Sequence, residues 1–265
     1  MIGIFDSGLG GLSALKEVRR LLPREDIVYF GDTGRVPYGS RSKETIIKYS
    51  LQDMRFLLSH DIDAVMIACG TASSNAIGVL REQYTHIPIV GVIHAGARAA
   101  AKATKNGIIG IAGTKSTIAS RSYENVLRAI DPHLTILAEA CPLFVPLVEN
   151  GFISPEDEIT HLAAEHYLGG FRKAGADTVI LGCTHYPIIA PSIARVLPDA
   201  ALVNVSAAAA SELAAILAER GLLKGEGGEV RYYVSDEPQD FGATASMFLG
   251  EEITCDVTRI DIERY

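Results

Sequence analysis

TVILGCTHYP, residues 178–187, passes from a short apolar run into a glycine, a cysteine, a threonine and a histidine. AVMIACGTAS, residues 64–73, does nearly the same with Cys69, Gly70 and Thr71. Short apolar runs of this kind are typical of buried parallel strands, and the polar turns after them mark strand ends. Two such ends in one chain predict an arrangement in which a strand, a turn and a helix recur.

The same alternation runs along the whole chain. Strands are predicted at 2–5, 27–30, 63–68, 88–92, 107–112, 134–138, 177–182, 201–205 and 230–234. Helices are predicted at 11–22, 42–59, 73–84, 94–104, 115–130, 155–174, 187–196, 207–220 and 239–249. Strands and helices that alternate at this spacing indicate an α/β fold with parallel sheets and right-handed crossovers.

The pattern restarts near the middle of the chain. Residues 2–11 run from a strand into DSGLGG, and residues 107–117 run from a strand into GTKST. We therefore predict two pseudo-symmetric, doubly wound parallel-sheet domains with the active site in the cleft between them. The first domain is predicted to comprise 1–94 and 207–265, and the second 95–206.

Composition excludes several classes of protein. The chain has 265 residues, 48% of them hydrophobic, a formal net charge of −8 and a pI near 5.4. An acidic chain without a basic run is not typical of nucleic-acid binders. The most apolar predicted helix, 207–218, is too short to span a bilayer, and no signal-peptide pattern is present. We expect a soluble cytoplasmic protein that binds neither nucleic acid nor membrane.

The four cysteines match no metal-binding spacing. Cys69, Cys141, Cys183 and Cys255 are far apart in the sequence and form no CxxC pair, so we predict no metal site. Cys141 and Cys255 lack polar neighbours, and we interpret them as small buried hydrophobic residues.

Three further polar loops follow predicted strands. Ligands of open parallel sheets bind outside the carboxyl ends of the strands. FDSGLGG (5–11) and GDTGRVPYG (31–39) can present backbone N–H groups to an anion, and GTKST (113–117) supplies threonine hydroxyls. Local sequence leaves simpler alternatives open: Asp6 as a helix N-cap, 31–39 as an ordinary turn, and Thr114 and Thr117 as helix caps.

The cysteine loops suggest a reaction. A thiol beside a hydroxyl or imidazole at a helix N-terminus is where the thiol pKa falls below its free value of about 8.5. Each cysteine alone could be inert, but Cys69 and Cys183 occupy equivalent places in two halves, and His185 could serve as a proton partner. Two thiols that face each other across a cleft can remove a proton from one face of a carbon and return one on the other. This pattern favours racemisation or epimerisation.

Six ordered motifs resemble those of the glutamate racemases, cofactor-independent enzymes of the aspartate/glutamate racemase superfamily. The motifs are FDSGLGG, GDTGRVPYG, ACGTAS, GT at 113–114, CPLFVPLVE at 141–149 and GCTHYP, and the tail FLGEEITCDVTRID at 248–261 is also similar to that family's ending. The resemblance therefore covers essentially the whole chain.

The resemblance implies interconversion of L- and D-glutamate without a cofactor, for peptidoglycan synthesis. It implies that Cys69 is the base that acts on D-glutamate and Cys183 the base that acts on L-glutamate. Asp6 and His185 would assist the nearer thiol, with Glu149 as a further helper. The implied substrate-binding residues are Asp6, Ser7, Pro37, Tyr38, Gly39, Gly70, Thr71, Thr114, Thr117, Thr184 and His185. The oligomeric state stays open, with a homodimer among the alternatives.

Two positions depart from the family pattern. Gly70 stands where the family commonly has an asparagine that contacts the substrate, and Ser206 stands where an acidic residue is often found. We expect a water molecule to fill the place left by the missing side chain at residue 70. An aspartate racemase and a two-domain binding protein without catalysis are the alternative functions.

Overall fold

The computed structural model describes residues 1–236, 241–251 and 256–265. All of the strands described are parallel to their neighbours. They are β1 (Ile2–Asp6), β2 (Ile27–Gly31), β3 (Ala64–Ile67), β4 (Ile89–Gly91), β5 (Ile108–Gly113), β6 (Thr135–Ala140), β7 (Thr178–Leu181), β8 (Ala201–Asn204), β9 (Val230–Val234) and β10 (Val257–Arg259).

Helices connect these strands. They are α1 (Leu12–Leu21), α2 (Lys43–Leu58), α3 (Gly70–Gln83), α4 (Val92–Ala103), α5 (Lys115–Ala119), α6 (Ser122–Ile130), α7 (Phe144–Glu149), α8 (Glu158–Lys173), α9 (Ala190–Val196), α10 (Val205–Glu219) and α11 (Phe241–Leu249). Short 3₁₀ turns lie at Thr33–Arg35, Tyr38–Ser40, Tyr186–Ile189 and Ile262–Arg264.

The strands form two sheets with the same central order. One sheet runs β10-β9-β2-β1-β3-β4 and the other runs β6-β5-β7-β8. Each sheet therefore contains four strands in the same order: β2-β1-β3-β4 in the first domain corresponds to β6-β5-β7-β8 in the second. This confirms the prediction of two similar parallel-sheet α/β domains. The loops after β3 and β7, which carry Cys69 and Cys183, occupy equivalent places in the two sheets.

The central strands are buried, and helices pack against the sheets that contain them. Every residue of β1, β2, β3 and β7 is buried, which explains why these strands read as continuous apolar runs. Helices α4 and α10 pack against each other and contact strands of both sheets. The domain boundaries expected from the sequence fall within these two helices, and β9 and β10 join the first sheet.

Some local expectations differ from the structure. The helix expected over 115–130 is two helices, α5 and α6, because Arg121 adopts a left-handed conformation with φ of 54°. Helix α7 and strand β10 were not predicted: α7 contains Pro146, and β10 is only three residues long without an apolar run. Residues 239 and 240 of the last expected helix lie outside the described residues, as does Cys255.

Across the described ranges, no helix combines the length and the apolar character needed to cross a membrane.

Candidate active site

A cavity of about 450 Å³ lies between the carboxyl ends of the two sheets. Its walls come from both domains, because the central strands of the two sheets direct their following loops toward each other. The lining residues are Ser7, Gly8, Val36, Pro37, Tyr38, Gly39, Ser40, Cys69, Gly70, Thr71, Thr114, Lys115, Cys141, Pro142, Val145, Pro146, Glu149, Gly182, Cys183, Thr184, His185 and Tyr186. The cavity thus contains both thiols and most of the residues singled out in the sequence.

Cys69 lies at the end of β3, where it caps helix α3. Its Sγ accepts a hydrogen bond from the Ala72 N–H at 3.4 Å and donates one to Ser7 Oγ at 3.3 Å. Burial, together with the negative charge of Asp6, raises the pKa of the Cys69 thiol to about 12. Cys69 therefore carries its proton at neutral pH.

Cys183 belongs to a chain of polar groups in the second domain. Its Sγ lies 3.6 Å from His185 Nδ1, and His185 Nε2 lies 3.1 Å from Glu149 Oε1. Burial alone lowers the pKa of His185, but hydrogen bonds with Cys183 and Glu149 outweigh it and raise that pKa to about 10. The imidazole is therefore positively charged at neutral pH, with its Nδ1–H directed at the Cys183 sulfur and its Nε2–H at the Glu149 carboxylate.

Asp6 is buried behind the cavity and is not part of its lining. Its Oδ2 accepts a hydrogen bond from the Gly8 N–H at 3.0 Å, whereas helix α1 begins after Gly11 with no side-chain cap. The alternative of Asp6 as the helix N-cap is therefore not what the structure shows. Burial raises the pKa of Asp6, opposed by the charge of His185 and by backbone N–H groups.

The threonines both cap helices and line the site. Thr114 Oγ1 accepts from the Thr117 N–H at 3.2 Å and caps α5. The same oxygen lies 3.0 Å from Thr71 Oγ1 and 2.9 Å from Thr117 Oγ1, which links the two domains. Thr71, Thr114 and Thr184 line the cavity, while the buried Thr117 supports Thr114 from behind.

The loop after β2 lines the cavity, but its tyrosine hydroxyl points elsewhere. Pro37, Tyr38 and Gly39 line the cavity, but the Tyr38 hydroxyl donates to the buried carboxylate of Asp32 and lies 3.0 Å from Asp53 Oδ2. Arg35 Nε bridges to Asp32 at 2.7 Å and its Nη2 to Asp53 at 3.0 Å. Burial and the neighbouring charge of Asp32 raise the pKa of Asp53 well above its usual value.

The space directly beside the Gly70 Cα is occupied by the backbone of the second domain, and the water expected near this residue stays a prediction. A Cβ on Gly70 would lie 2.4 Å from the carbonyl oxygen of Gly182, in the other domain. Gly70 also has no positive φ; it is the first residue of helix α3. The backbone of the second domain therefore occupies the position that a side chain at residue 70 would need.

Sequence reasoning named neither Cys141 nor Lys115 as a residue of the site, although both line the cavity. Cys141 is fully buried, which confirms its interpretation as a buried core residue, and it also contributes to the cavity wall, where burial raises its thiol pKa. Lys115 contributes a cation to the lining. Cys141 lies in the motif CPLFVPLVE and Lys115 in GTKST, and both motifs had been singled out in the sequence. Their place in these motifs was the signal that could have identified them as lining residues. The described residues contain no cluster of three or more His, Cys, Asp or Glu side chains that could hold a metal ion.

Comparison with known proteins agrees with this geometry. The model of the family described as Asp/Glu/Hydantoin racemase matches residues 10–213. The glutamate racemase of Geobacter metallireducens is 45% identical over 99% of this chain and 97% of its own length. That of Chlorobaculum tepidum is 44% identical over 95% of this chain and 93% of its own.

A solved structure extends the match to three dimensions. The crystal structure of glutamate racemase from Francisella tularensis in complex with D-glutamate superimposes with a TM-score of 0.93 at 38% identity, covering 100% of this chain and 98% of that one. The matched sequence, the shared fold and the paired thiols agree. The chain belongs to the Asp/Glu/hydantoin racemase family.

Proposed function

We propose that the protein interconverts L-glutamate and D-glutamate by proton transfer between the substrate and two thiols. The observation that carries this proposal is the placement of Cys69 and Cys183 on equivalent strand ends of two domains, in one cavity, each with its own polar partner. Two bases on opposite sides of a carbon are what inversion of its configuration requires.

In the direction from L to D, the sulfur of Cys183 takes the α proton and the C–H bond electrons remain on the substrate. Cys69, which is protonated at rest, then gives its proton to the opposite face of the same carbon. The reverse reaction exchanges the two roles. His185, held by Glu149, stabilises negative charge on Cys183, because its imidazolium is 3.6 Å from that sulfur.

Substrate recognition relies on hydroxyls and backbone N–H groups. Ser7, Thr71, Thr114 and Thr184 line the cavity with hydroxyls, and the loop Pro37–Gly39 adds backbone groups. Lys115 adds a positive charge at the wall. These groups let an acidic protein hold an acidic substrate, and donors aimed at the α-carboxylate stabilise the charge that develops during proton removal.

The proposal extends to the setting of the enzyme. We propose that 1–94 with 207–265 and 95–206 act as the two walls of the cleft, that no cofactor takes part, and that the product D-glutamate supplies cytoplasmic peptidoglycan synthesis. The high identity to proteins named glutamate racemase over nearly their full lengths supports glutamate over aspartate as the substrate.

The deciding experiment measures deuterium uptake at Cα in heavy water without added cofactor. We expect L-glutamate to yield D-glutamate labelled at Cα, and D-glutamate to yield labelled L-glutamate, with L- and D-aspartate as control substrates. Faster exchange of aspartate would assign the enzyme to aspartate. Glutamate that raised the melting temperature without any Cα exchange would show a binding protein and overturn the proposal.

A further inference from the structure

A buried tyrosine contacts the cavity wall from behind. Tyr29 lies in strand β2 and is fully buried, and its hydroxyl donates to the Gly8 carbonyl at 2.8 Å. Gly8 lines the cavity, whereas Tyr29 does not. Since Tyr29 has no surface in the cavity, it can affect a bound substrate only through the groups that it holds.

The backbone of Gly8 is held on more than one side. Its N–H donates to Asp6 Oδ2 at 3.0 Å, and its carbonyl accepts the hydrogen bond from the Tyr29 hydroxyl. The same carbonyl oxygen packs closely against the backbone of β2 at Gly31, where an added Cβ would lie 2.6 Å from it. Strand β2 and Asp6 together therefore fix the turn Asp6–Gly8.

Ser7 connects this turn to the thiol of the first domain. It lies between Asp6 and Gly8 in the sequence and lines the cavity. Its Oγ accepts a hydrogen bond from Cys69 Sγ at 3.3 Å. The position of the Ser7 side chain follows that of the turn, because both of its neighbours in the sequence are held. A chain of contacts thus runs from the Tyr29 hydroxyl through this turn to the Cys69 sulfur.

The Tyr29 hydroxyl keeps its proton and remains a donor at neutral pH. Burial raises the pKa of Tyr29 well above its ordinary value, and negative charge on Asp6 and Cys69 raises it further. The hydrogen bond to Gly8 is itself buried, so a carbonyl left without the hydroxyl would stay in the interior without this partner. An unpaired buried carbonyl is costly, and the turn would move to give it another donor.

We propose that Tyr29 is a positioning residue for Cys69: its hydroxyl holds the turn Asp6–Gly8 where Ser7 can receive the hydrogen bond of the thiol. The proposal rests on the proposed racemase function. Tyr29 is outside the cavity lining and acts through the Gly8 carbonyl. Without the hydroxyl, Ser7 shifts with the turn, and the Cys69 sulfur loses the partner that receives its hydrogen bond.

Loss of this support slows proton transfer at Cys69 and leaves transfer at Cys183 unchanged. Cys183 belongs to the second domain and has its own partner, His185 Nδ1, at 3.6 Å from its sulfur. The two enantiomers have equal free energies, so kcat/KM falls equally in both directions and does not show which thiol is affected. The isotope effect of α-deuterated substrate does show it, because that effect reports how far removal of the α proton limits the rate.

The isotope effects of the two directions should change in opposite senses. From D-glutamate, Cys69 removes the α proton, so a slower transfer there makes removal more rate-limiting and increases the isotope effect on kcat/KM. From L-glutamate, Cys183 removes the proton and Cys69 completes the reaction, so the proton returns to L-glutamate more often and the isotope effect decreases. A variant that is only less stable has a smaller active fraction, and neither isotope effect changes.

The test compares Tyr29→Phe with Tyr233→Phe. Tyr233 lies in β9, the neighbour of β2 in the same sheet, and its hydroxyl has no hydrogen-bond partner among the described residues. For each protein we would measure kcat, KM and the α-deuterium isotope effect in both directions. For Tyr29→Phe we expect opposite changes in the two isotope effects. We expect its kcat to fall about tenfold, because a misplacement of about 1 Å costs about a hundredfold and this turn stays bonded to Asp6. Tyr233→Phe should match the wild type throughout.

The outcomes separate this proposal from the proposed function. A wild-type protein that does not racemise glutamate would overturn the function itself. A racemising wild type with unchanged isotope effects in Tyr29→Phe, whatever its kcat, would overturn the positioning role alone, as would changes in the reverse sense. If Tyr29→Phe failed to fold, Ser7→Ala, which removes the oxygen that receives the Cys69 hydrogen bond, would carry the test by the same pair of isotope effects. Unchanged isotope effects in Ser7→Ala would then overturn the proposal.

Discussion

The two thiols lie in different electrostatic surroundings although the folds around them correspond. Cys69 is next to a hydroxyl and near the buried Asp6, and its pKa is raised to about 12. Cys183 is next to an imidazole whose own pKa is raised to about 10 by hydrogen bonds with Cys183 and Glu149. One side of the cavity therefore holds a protonated thiol, and the other holds an imidazolium paired with the Glu149 carboxylate.

Replacement of either thiol should abolish racemisation. We expect Cys69→Ala and Cys183→Ala each to retain less than about a tenth of kcat, a loss of more than ~1.4 kcal/mol of barrier lowering, because alanine provides no proton donor for its face. The measurement is the rate of change in optical rotation of glutamate at saturating substrate.

Cys141→Ala is the matched control for these variants. Cys141 also lines the cavity and is buried, but its Sγ contacts the Glu139 carbonyl at 3.6 Å, away from the His185 pair. We expect Cys141→Ala to be active, as we do Cys255→Ala, whose position lies outside the described residues. A folded but inactive Cys141→Ala would mean that the reacting thiols are wrongly assigned.

Glu149→Gln should lower the pKa of His185 and flatten the pH dependence of stability. The pKa of His185 is about 10 in the folded state and 6.5 as a reference for the unfolded state. His185 therefore contributes stability that is fully present below pH 6.5 and is lost as pH rises toward 10. Removal of the Glu149 charge reduces that difference. Histidine NMR titration and urea unfolding between pH 6 and 10 would measure both effects.

Glu165→Gln is the control, because Glu165 is paired with Arg172 at the surface, outside the cavity lining. It should leave the His185 titration as in the wild type. An unshifted His185 pKa in Glu149→Gln would contradict the assignment of Glu149 as its partner.

Among the elements, the loop after β2 depends most on buried charge. Arg35 lies between the fully buried carboxylates of Asp32 and Asp53, and its guanidinium stacks 4.1 Å from the Tyr49 ring centre. The Tyr38 hydroxyl joins the same carboxylates. This network holds the loop whose residues Pro37–Gly39 form one wall of the cavity.

Arg35→Met should destabilise the protein by about 3–5 kcal/mol, because it leaves buried carboxylates without a counterion. We also expect a higher KM for glutamate, since the cavity wall loses its support. Chemical denaturation and steady-state kinetics would measure the two effects.

Arg20→Met is the control, because it tests whether the loss of any arginine destabilises the protein as Arg35→Met does. Arg20 is largely exposed and pairs with Glu17 at the surface, so its replacement should cost within about 1 kcal/mol. Equal destabilisation by the two variants would refute the role given to the buried network.

In the molecule as a whole, two sheets of equivalent order place the loops that carry Cys69 and Cys183 at the same cavity. Because both proposed proton carriers belong to the chain, we expect full racemase activity after dialysis against a chelator, and no absorbance from a bound chromophore. Activity assays before and after dialysis, with metals or cofactors restored one at a time, would test this. Activity lost on dialysis and restored by a metal would contradict the proposed mechanism.

Most of the order of elements could be predicted from the sequence because it depends on local pattern. Every strand from β1 to β9 appears as a short apolar run, and the two cysteines stand visibly at strand ends. The break between α5 and α6 could not be predicted in this way. It occurs at Arg121, an arginine in the left-handed conformation, and arginine is not a residue type that signals such a conformation in a sequence. Strand β10 was missed because three residues carry no detectable period.

The sequence by itself determined the two-sheet α/β architecture and the pairing of Cys69 with Cys183. Apolar residues recur along the chain at the spacing of strands and helices, and this pattern can be recognised from neighbouring residues alone. The ordered motifs can likewise be compared with a family without a structure. Only the tertiary structure decided which distant groups touch: Glu149 with His185, Cys141 with the cavity, and Gly70 with Gly182. Those contacts depend on how closely two domains pack, and packing at that scale is settled by steric fit between backbones far apart in the chain.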